Sequence, residues 1–164
     1  MIVEEYKNFL DKDFLDYLTN HYLFNTQHRY VEASIKGTTK AMFFSTAVQN
    51  DQVTNFVTYK LFKKFEIYKY QRIYINMQFN GMDGSWHIDE GDKTHMLMVT
   101  PTLKQDSGLF EIKDNDNKIH KVTFEQNKLV VFTSKMWNRG LATTEIDKPR
   151  ITLVFKRIKD YGRK

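Results

Sequence analysis

Cysteine is absent from this chain of 164 residues, and proline and glycine are scarce, at 2 and 7 residues. Without a thiol there is no disulfide, no thiolate metal site and no cysteine nucleophile. Any metal is therefore confined to histidine, carboxylate or amide ligands. Few glycines and prolines, with 41% of residues hydrophobic and 15% aromatic, exclude the disordered and fibrous classes and predict a packed core. Long apolar runs are also missing, since none approaches the roughly 18 residues of a membrane span. The start, Met1 to Phe14, is acidic and broken by charges, unlike the basic start and apolar middle of a signal peptide. The expectation is a soluble, cytoplasmic protein with no membrane partner.

What is present fits one domain over residues 1–164, a size at which roughly two thirds of the unfolded surface becomes buried. The formal charge of +5 and isoelectric point near 9.2 raise the question of a polyanionic partner. Basic residues are nevertheless scattered, and their only concentration is Lys156, Arg157, Lys159, Arg163 and Lys164 near the end. No basic strip is interleaved with aromatics, so a solvated basic surface is expected and nucleic acid is not favoured as a partner.

The pattern divides the chain in two. Residues 1–66 read as mostly helical support. Tyr6, Phe9, Leu10, Phe14, Leu15, Leu18 and Tyr22 recur near helical spacing between Val3 and Tyr22, with Asp11 and Asp13 available as caps. A second helical stripe, Val53, Phe56, Val57, Leu61, Phe62 and Phe65, follows Asn50 and Asp51. Residues 67–158 read as a β core. From Tyr68 the period becomes two, with Tyr70, Arg72, Tyr74, Asn76 and Gln78 on one face and Ile73, Ile75, Met77 and Phe79 on the other. Further strands are expected at Ser85–Asp89, His95–Thr100, Leu109–Ile112, Ile119–Phe124, Lys128–Phe132, Asn138–Thr143 and Arg150–Arg157. About eight short strands between polar turns indicate a sandwich or barrel with helices outside.

Two residues could converge on an ion. In Trp86-His87-Ile88-Asp89, His87 and Asp89 stand two apart on an expected strand, so both emerge from one face, and imidazole with carboxylate suits Fe(II). The tripeptide is common by chance, and alone it would more often mark a polar surface strand. Arg150 begins a strand, has Thr152 on the same face, and is able to make a bidentate charged pair with a carboxylate inside a barrel. Trp86 adjoins His87 and Trp137 adjoins Asn138, so alternation turns each to the face opposite its neighbour, into an outer core layer. Arg139 is open between a substrate contact at the mouth and a solvated position.

Several segments in order carry a resemblance: Tyr74-Ile75-Asn76-Met77-Gln78, Asp83-Gly84-Ser85, His87-Ile88-Asp89, Ser107-Gly108-Leu109-Phe110, Asn127 to Phe132, and Arg150-Ile151-Thr152-Leu153. Over about residues 70–157 the chain resembles the prolyl-4-hydroxylase-like 2-oxoglutarate/Fe(II) oxygenases, as a small bacterial or phage-type member. The resemblance implies a double-stranded β-helix (jelly roll, cupin-like), mainly β, with amino-terminal helices on the outer sheet face. It implies Fe(II) and 2-oxoglutarate, with ascorbate as a candidate auxiliary, and catalytic roles for His87, Asp89 and Arg150. Arg150 would hold the distal carboxylate of 2-oxoglutarate, Tyr74 would donate its hydroxyl to the same carboxylate, and Thr152, Asn76 and Gln78 would line the cosubstrate site.

The family's second ligand histidine is expected six residues after Phe132, where this chain has Asn138. The implied metal set is therefore His87, Asp89 and Asn138, and an amide oxygen is a weaker donor to Fe(II) than imidazole. His95 and His120 are alternative sources of a third ligand, while His21 and His28 belong to helix surface or loop. The implied activity is hydroxylation of a peptidyl proline, an amino acid or another small molecule. The rival expectation is a catalytically inactive jelly-roll domain that binds a ligand or a protein. A cupin-like metal enzyme without 2-oxoglutarate ranks last.

Overall fold

The computed structural model describes residues 3–33, 41–66 and 69–157. Tyr68 and the basic residues Lys159, Arg163 and Lys164 lie outside them. Ten strands and two α-helices run in the order β1 (Val3–Tyr6), α1 (Lys12–Asn20), β2 (Tyr30–Ala33), β3 (Ala41–Ala47), α2 (Gln52–Phe65), β4 (Tyr70–Gln78), β5 (Lys93–Met98), β6 (Phe110–Lys113), β7 (Ile119–Val122), β8 (Leu129–Thr133), β9 (Asn138–Gly140) and β10 (Arg150–Arg157). They form a seven-stranded sheet, β1-β8-β5-β10-β4-β3-β2, and a three-stranded sheet, β7-β6-β9. The expected mainly β jelly roll with flanking helices is the fold observed.

Strand alternation sorts the core into two layers. Ile73, Ile75, Met77, Leu97, Leu129, Val131, Ile151, Leu153 and Phe155 point out of the large sheet and pack under Leu15 and Leu18 of α1 and Val57 and Leu61 of α2. Met96, Met98, Val130, Phe132 and Val154 point inward and meet Phe110, Ile112 and Val122 of the small sheet. The inward face of β4 and β10 also carries polar residues, in register: Arg150 stands opposite Gln78, Thr152 opposite Asn76, Val154 opposite Tyr74 and Lys156 opposite Arg72. Polar side chains aimed between two sheets need a reason, and they mark the site.

Three local expectations are corrected. Helix does not begin at Val3: Val3–Tyr6 pairs with β8, and α1 starts after the extended Asp11. Four residues are too few to separate the two periods, and the unpaired edge of β8 decides. Between the helices, β2 and β3 extend the sheet from β4, although this stretch shows no sustained alternation. Ser85–Asp89 is not a strand; only a bridge between His87 and Asn138 forms there. α2 follows its caps, with Asp51 accepting from the Thr54 backbone N–H at 2.9 Å and Glu66 in the left-handed region at φ 55°.

His95 falls in the outer layer, against Phe65 and Tyr70, and burial pushes its pKa down to about 4. The folded state therefore binds fewer protons than the unfolded state between about pH 6.5 and 4. Stability from the neutral ring is complete above the upper limit and is lost as pH falls through the window. The loss amounts to about 3 kcal/mol. Urea unfolding at intervals across that window is expected to show the decline in wild type and a flatter profile in His95→Phe.

Candidate active site

The cavity between the sheets is lined by Tyr74, Asn76 and Gln78 from β4, Thr94 and Met96 from β5, and Arg150, Thr152, Val154 and Lys156 from β10. His87, Asp89, Asn138 and Gly140 close it from the other side, and Phe110 and Phe132 supply apolar walls. It opens into a basin lined by Arg29, Val31, Phe43, Arg72, Ile88 and Glu90 among others.

His87 and Asp89 converge although they do not share a regular strand. The His87 backbone N–H donates to Asn138 O at 3.0 Å, the Asn138 N–H returns to His87 O at 2.8 Å, and the Asp89 N–H donates to Ser134 O at 2.9 Å. These bonds seat His87 Nε2 3.2 Å from Asp89 Oδ1. His87 Nδ1 lies 2.9 Å from Ser85 O, so a proton on Nδ1 donates there and Nε2, beside Asp89, is the nitrogen that would face an ion. A nitrogen and an oxygen at that separation suit adjacent positions around one ion, because bonds of about 2.1 Å at a right angle span about 3 Å. Asn138 is 3% exposed, and its amide nitrogen donates to His87 O at 3.3 Å and Met136 O at 3.1 Å. Its side-chain oxygen is then the atom left for the cavity.

Neither alternative histidine reaches this place. His95 points to the opposite face of β5, and His120 is bound to Asp114 at 2.7 Å beside the turn that precedes β7. Among the described residues, no three of His, Asp and Glu are grouped to hold a metal. The side chain that stands beside His87 and Asp89 in this cavity is the amide of Asn138.

Arg150 is 2% exposed. Its Nε donates to Gly108 O at 2.9 Å and its Nη1 to Gln78 Oε1 at 2.7 Å, while Nη2 is buried without a partner. The Gln78 amide is oriented in turn by Nε2 bonds to Met82 O at 2.7 Å and Gly140 O at 3.1 Å. Burial pulls the Arg150 pKa down to about 10, so the cation persists at neutral pH without a carboxylate beside it. An orphaned donor on a buried guanidinium fits a bound carboxylate. Asn76 Oδ1 is likewise buried and unpartnered, and Thr152 adjoins it across the sheet. The donor set thus fits 2-oxoglutarate at Arg150 and a divalent ion at His87 and Asp89.

Glycine matters at two points. Gly108 has φ +64°, and its carbonyl receives Arg150. A Cβ on Gly140 would lie 3.0–3.1 Å from three guanidinium atoms. Gly140→Ala is therefore expected to push Arg150 from its seat and to weaken 2-oxoglutarate binding about tenfold, with overpacking costing about 1–3 kcal/mol. Calorimetric titration together with urea unfolding checks both effects.

Lys156 is the residue that sequence patterning overlooked, grouped with the basic tail though its parity with Arg150 and Thr152 was available. It is 6% exposed, its ammonium is ion-paired with Asp89 Oδ2, and it donates to Thr94 Oγ1 at 3.3 Å. Thr94 Oγ1 also lies 3.2 Å from Asp89 Oδ2 and 2.9 Å from Ser134 Oγ. Burial would raise the Asp89 pKa, but His87 and Lys156 outweigh it and hold the carboxyl below its usual range. Burial also opposes charge on His87, yet Asp89 and the Ser85 carbonyl leave its pKa raised. Tyr74 stands at this end, with its ring centroid 5.8 Å from Lys156 Nζ and 4.6 Å from Arg72 Cζ.

The remaining assignments are structural. Trp137 is 45% exposed and so is not core, because it sits in the tight turn before the bridge at Asn138. Trp86 is half-buried beneath Lys113 and Arg139, at 4.4 and 4.7 Å, and does not line the cavity. Arg139 is part-exposed, pairs with buried Glu111 at 2.7 Å and does not line the cavity.

No family model matches the sequence, and no curated protein matches it. Solved structures do. A Trichoplax adhaerens prolyl hydroxylase in complex with a hypoxia inducible factor peptide fragment aligns with TM-score 0.76 and 13% identity, over 93% of this chain and 81% of that one. A viral collagen prolyl hydroxylase from Paramecium Bursaria Chlorella virus-1, in its 2-oxoglutarate complex, aligns at 0.65 and 13%, over 94% of each chain. A non-heme alpha ketoglutarate dependent epimerase from nogalamycin biosynthesis aligns at 0.69 and 9%, over 99% and 84%. The fold is that of the 2-oxoglutarate/Fe(II) oxygenases.

Proposed function

We propose that this protein is an Fe(II)- and 2-oxoglutarate-dependent dioxygenase that hydroxylates a peptidyl proline, an amino acid or another small molecule. The observation that carries it is Arg150, a buried cation with an orphaned Nη2, sharing one cavity with the His87–Asp89 pair. His87 Nε2, Asp89 Oδ1 and the Asn138 side-chain oxygen would hold the ion, and Arg150, supported by Gln78 and flanked by Thr152 and Asn76, would hold the distal carboxylate. With a metal held there, dioxygen would be the oxidant: one oxygen atom would go into succinate as 2-oxoglutarate loses carbon dioxide, and the other into the hydroxyl group formed at an unactivated C–H bond. Phe110, Phe132 and Met96 keep the cavity apolar around these groups. The basin beside Arg29, Phe43 and Arg72 would receive the substrate.

Purified protein supplied with Fe(II) and dioxygen is expected to form succinate from 2-oxoglutarate. Exchange of the amide for imidazole in Asn138→His is expected to tighten metal binding by about 10- to 100-fold, at least the size of changes around a ligand. Asn138 in the ligand set and Lys156 on Asp89 Oδ2 favour a second reading, an inactive ligand-binding jelly roll. Succinate formed only by Asn138→His would support that reading, and none from either form would remove the dioxygenase proposal.

A further inference from the structure

Besides His87, which has to be neutral to ligate a metal, three formal charges line the cavity: Asp89, Arg150 and Lys156. Arg150 has no carboxylate partner, and Lys156 already neutralises Asp89. The cavity is thus cationic by one charge before any metal arrives. A divalent ion alone would leave an excess of three positive charges in a space walled by Phe110, Phe132, Met96 and Val154. A dicarboxylate dianion arriving with it restores the excess to one.

Lys156 is not free to withdraw. Its ammonium is bound by Asp89 and Thr94, Thr94 is bound by Ser134, and its strand position opposite both Thr94 and Arg72 is set by the sheet register. The site differs in this from a bare carboxylate waiting for a cation, because one cation is built in.

Resting on the dioxygenase proposal above, we propose that Lys156 is a resident counter-cation that makes divalent-metal binding at His87 and Asp89 conditional on a bound dicarboxylate, so that the two load as a pair. The metal finds Asp89 Oδ1 available but half of the carboxylate charge already engaged through Oδ2. The dianion offsets Lys156 and Arg150 together. Each ligand therefore raises the affinity of the other by the same factor, as linkage requires, and such couplings commonly fall between about 5- and 150-fold.

Mn(II) titrations of the full chain at one fixed pH, with and without saturating 2-oxoglutarate, test this through binding alone. Wild type is expected to bind Mn(II) weakly by itself and at least about tenfold more tightly with 2-oxoglutarate. Lys156→Met and Lys156→Gln, the second keeping a hydrogen-bond donor for Asp89, are expected to bind Mn(II) alone about tenfold more tightly than wild type and to lose most of the gain. Lys156→Arg, which keeps the charge, is expected to behave as wild type. If either uncharged variant is folded and binds Mn(II) alone no better than wild type, the role of Lys156 is overturned while the metal site stands. Absence of Mn(II) binding in every form, with and without 2-oxoglutarate, removes the metal site and this proposal with it.

Discussion

Asp89→Ala is expected to lower the stability of the metal-free protein by about 3–5 kcal/mol, because it strands the Lys156 ammonium in the cavity. Asp89 and Lys156 are 8% and 6% exposed, so water does not screen the loss as it would for a surface pair. For a domain near this size each kcal/mol moves the melting temperature by roughly 2–4 °C, which places the decrease at about 6–20 °C. The double variant Asp89→Ala with Lys156→Met removes both charges and is expected to recover most of the loss, since an apolar replacement of a buried pair is often neutral. Urea unfolding of wild type, both single variants and the double variant closes the cycle. A single-variant loss below about 1 kcal/mol, or a double variant no better than Asp89→Ala, would show that the pair contributes little.

Arg150→Met is expected to weaken 2-oxoglutarate binding by more than about 100-fold, measured calorimetrically with Mn(II) present. Two charge-assisted bonds at about 1.5–3 kcal/mol each account for that size. Arg150→Lys keeps the charge without the fork, loses the simultaneous bonds to Gly108 O and Gln78 Oε1, and should fall between wild type and Arg150→Met. Equal binding by all three forms would mean that the orphaned Nη2 does not serve a carboxylate.

The two experiments address opposite ends of β10. Arg150 and Lys156 lie on the same face of one strand, separated by Thr152 and Val154, and their nearest polar partners come from different elements. The strand thus carries both cations of the cavity, and register with β4 and β5 decides what each one meets. Stability and binding are therefore expected to separate in these variants. Loss of Asp89 is felt first in folding, whereas loss of Arg150 is felt first in the cosubstrate.

Much of this arrangement is written in alternation. The faces of β4 and β10 follow from their period of two, and with them the inward turn of Tyr74, Asn76, Gln78, Arg150 and Thr152, because a residue two positions away must share a face. The stripe Val57 and Leu61 determined that α2 covers a sheet. It was the family resemblance, and not periodicity, that marked Asn138 as standing where a histidine is expected. Tertiary structure alone decided the rest. Val3–Tyr6 became a strand because β8 offered an unpaired edge, and His87 met Asp89 through bonds to Asn138 and Ser134, more than forty residues further along the chain. It also decided that Lys156 answers Asp89 while Arg150 answers no carboxylate. Which charge faces which is a matter of sheet register and long-range closure, and neither leaves a periodic trace in the chain.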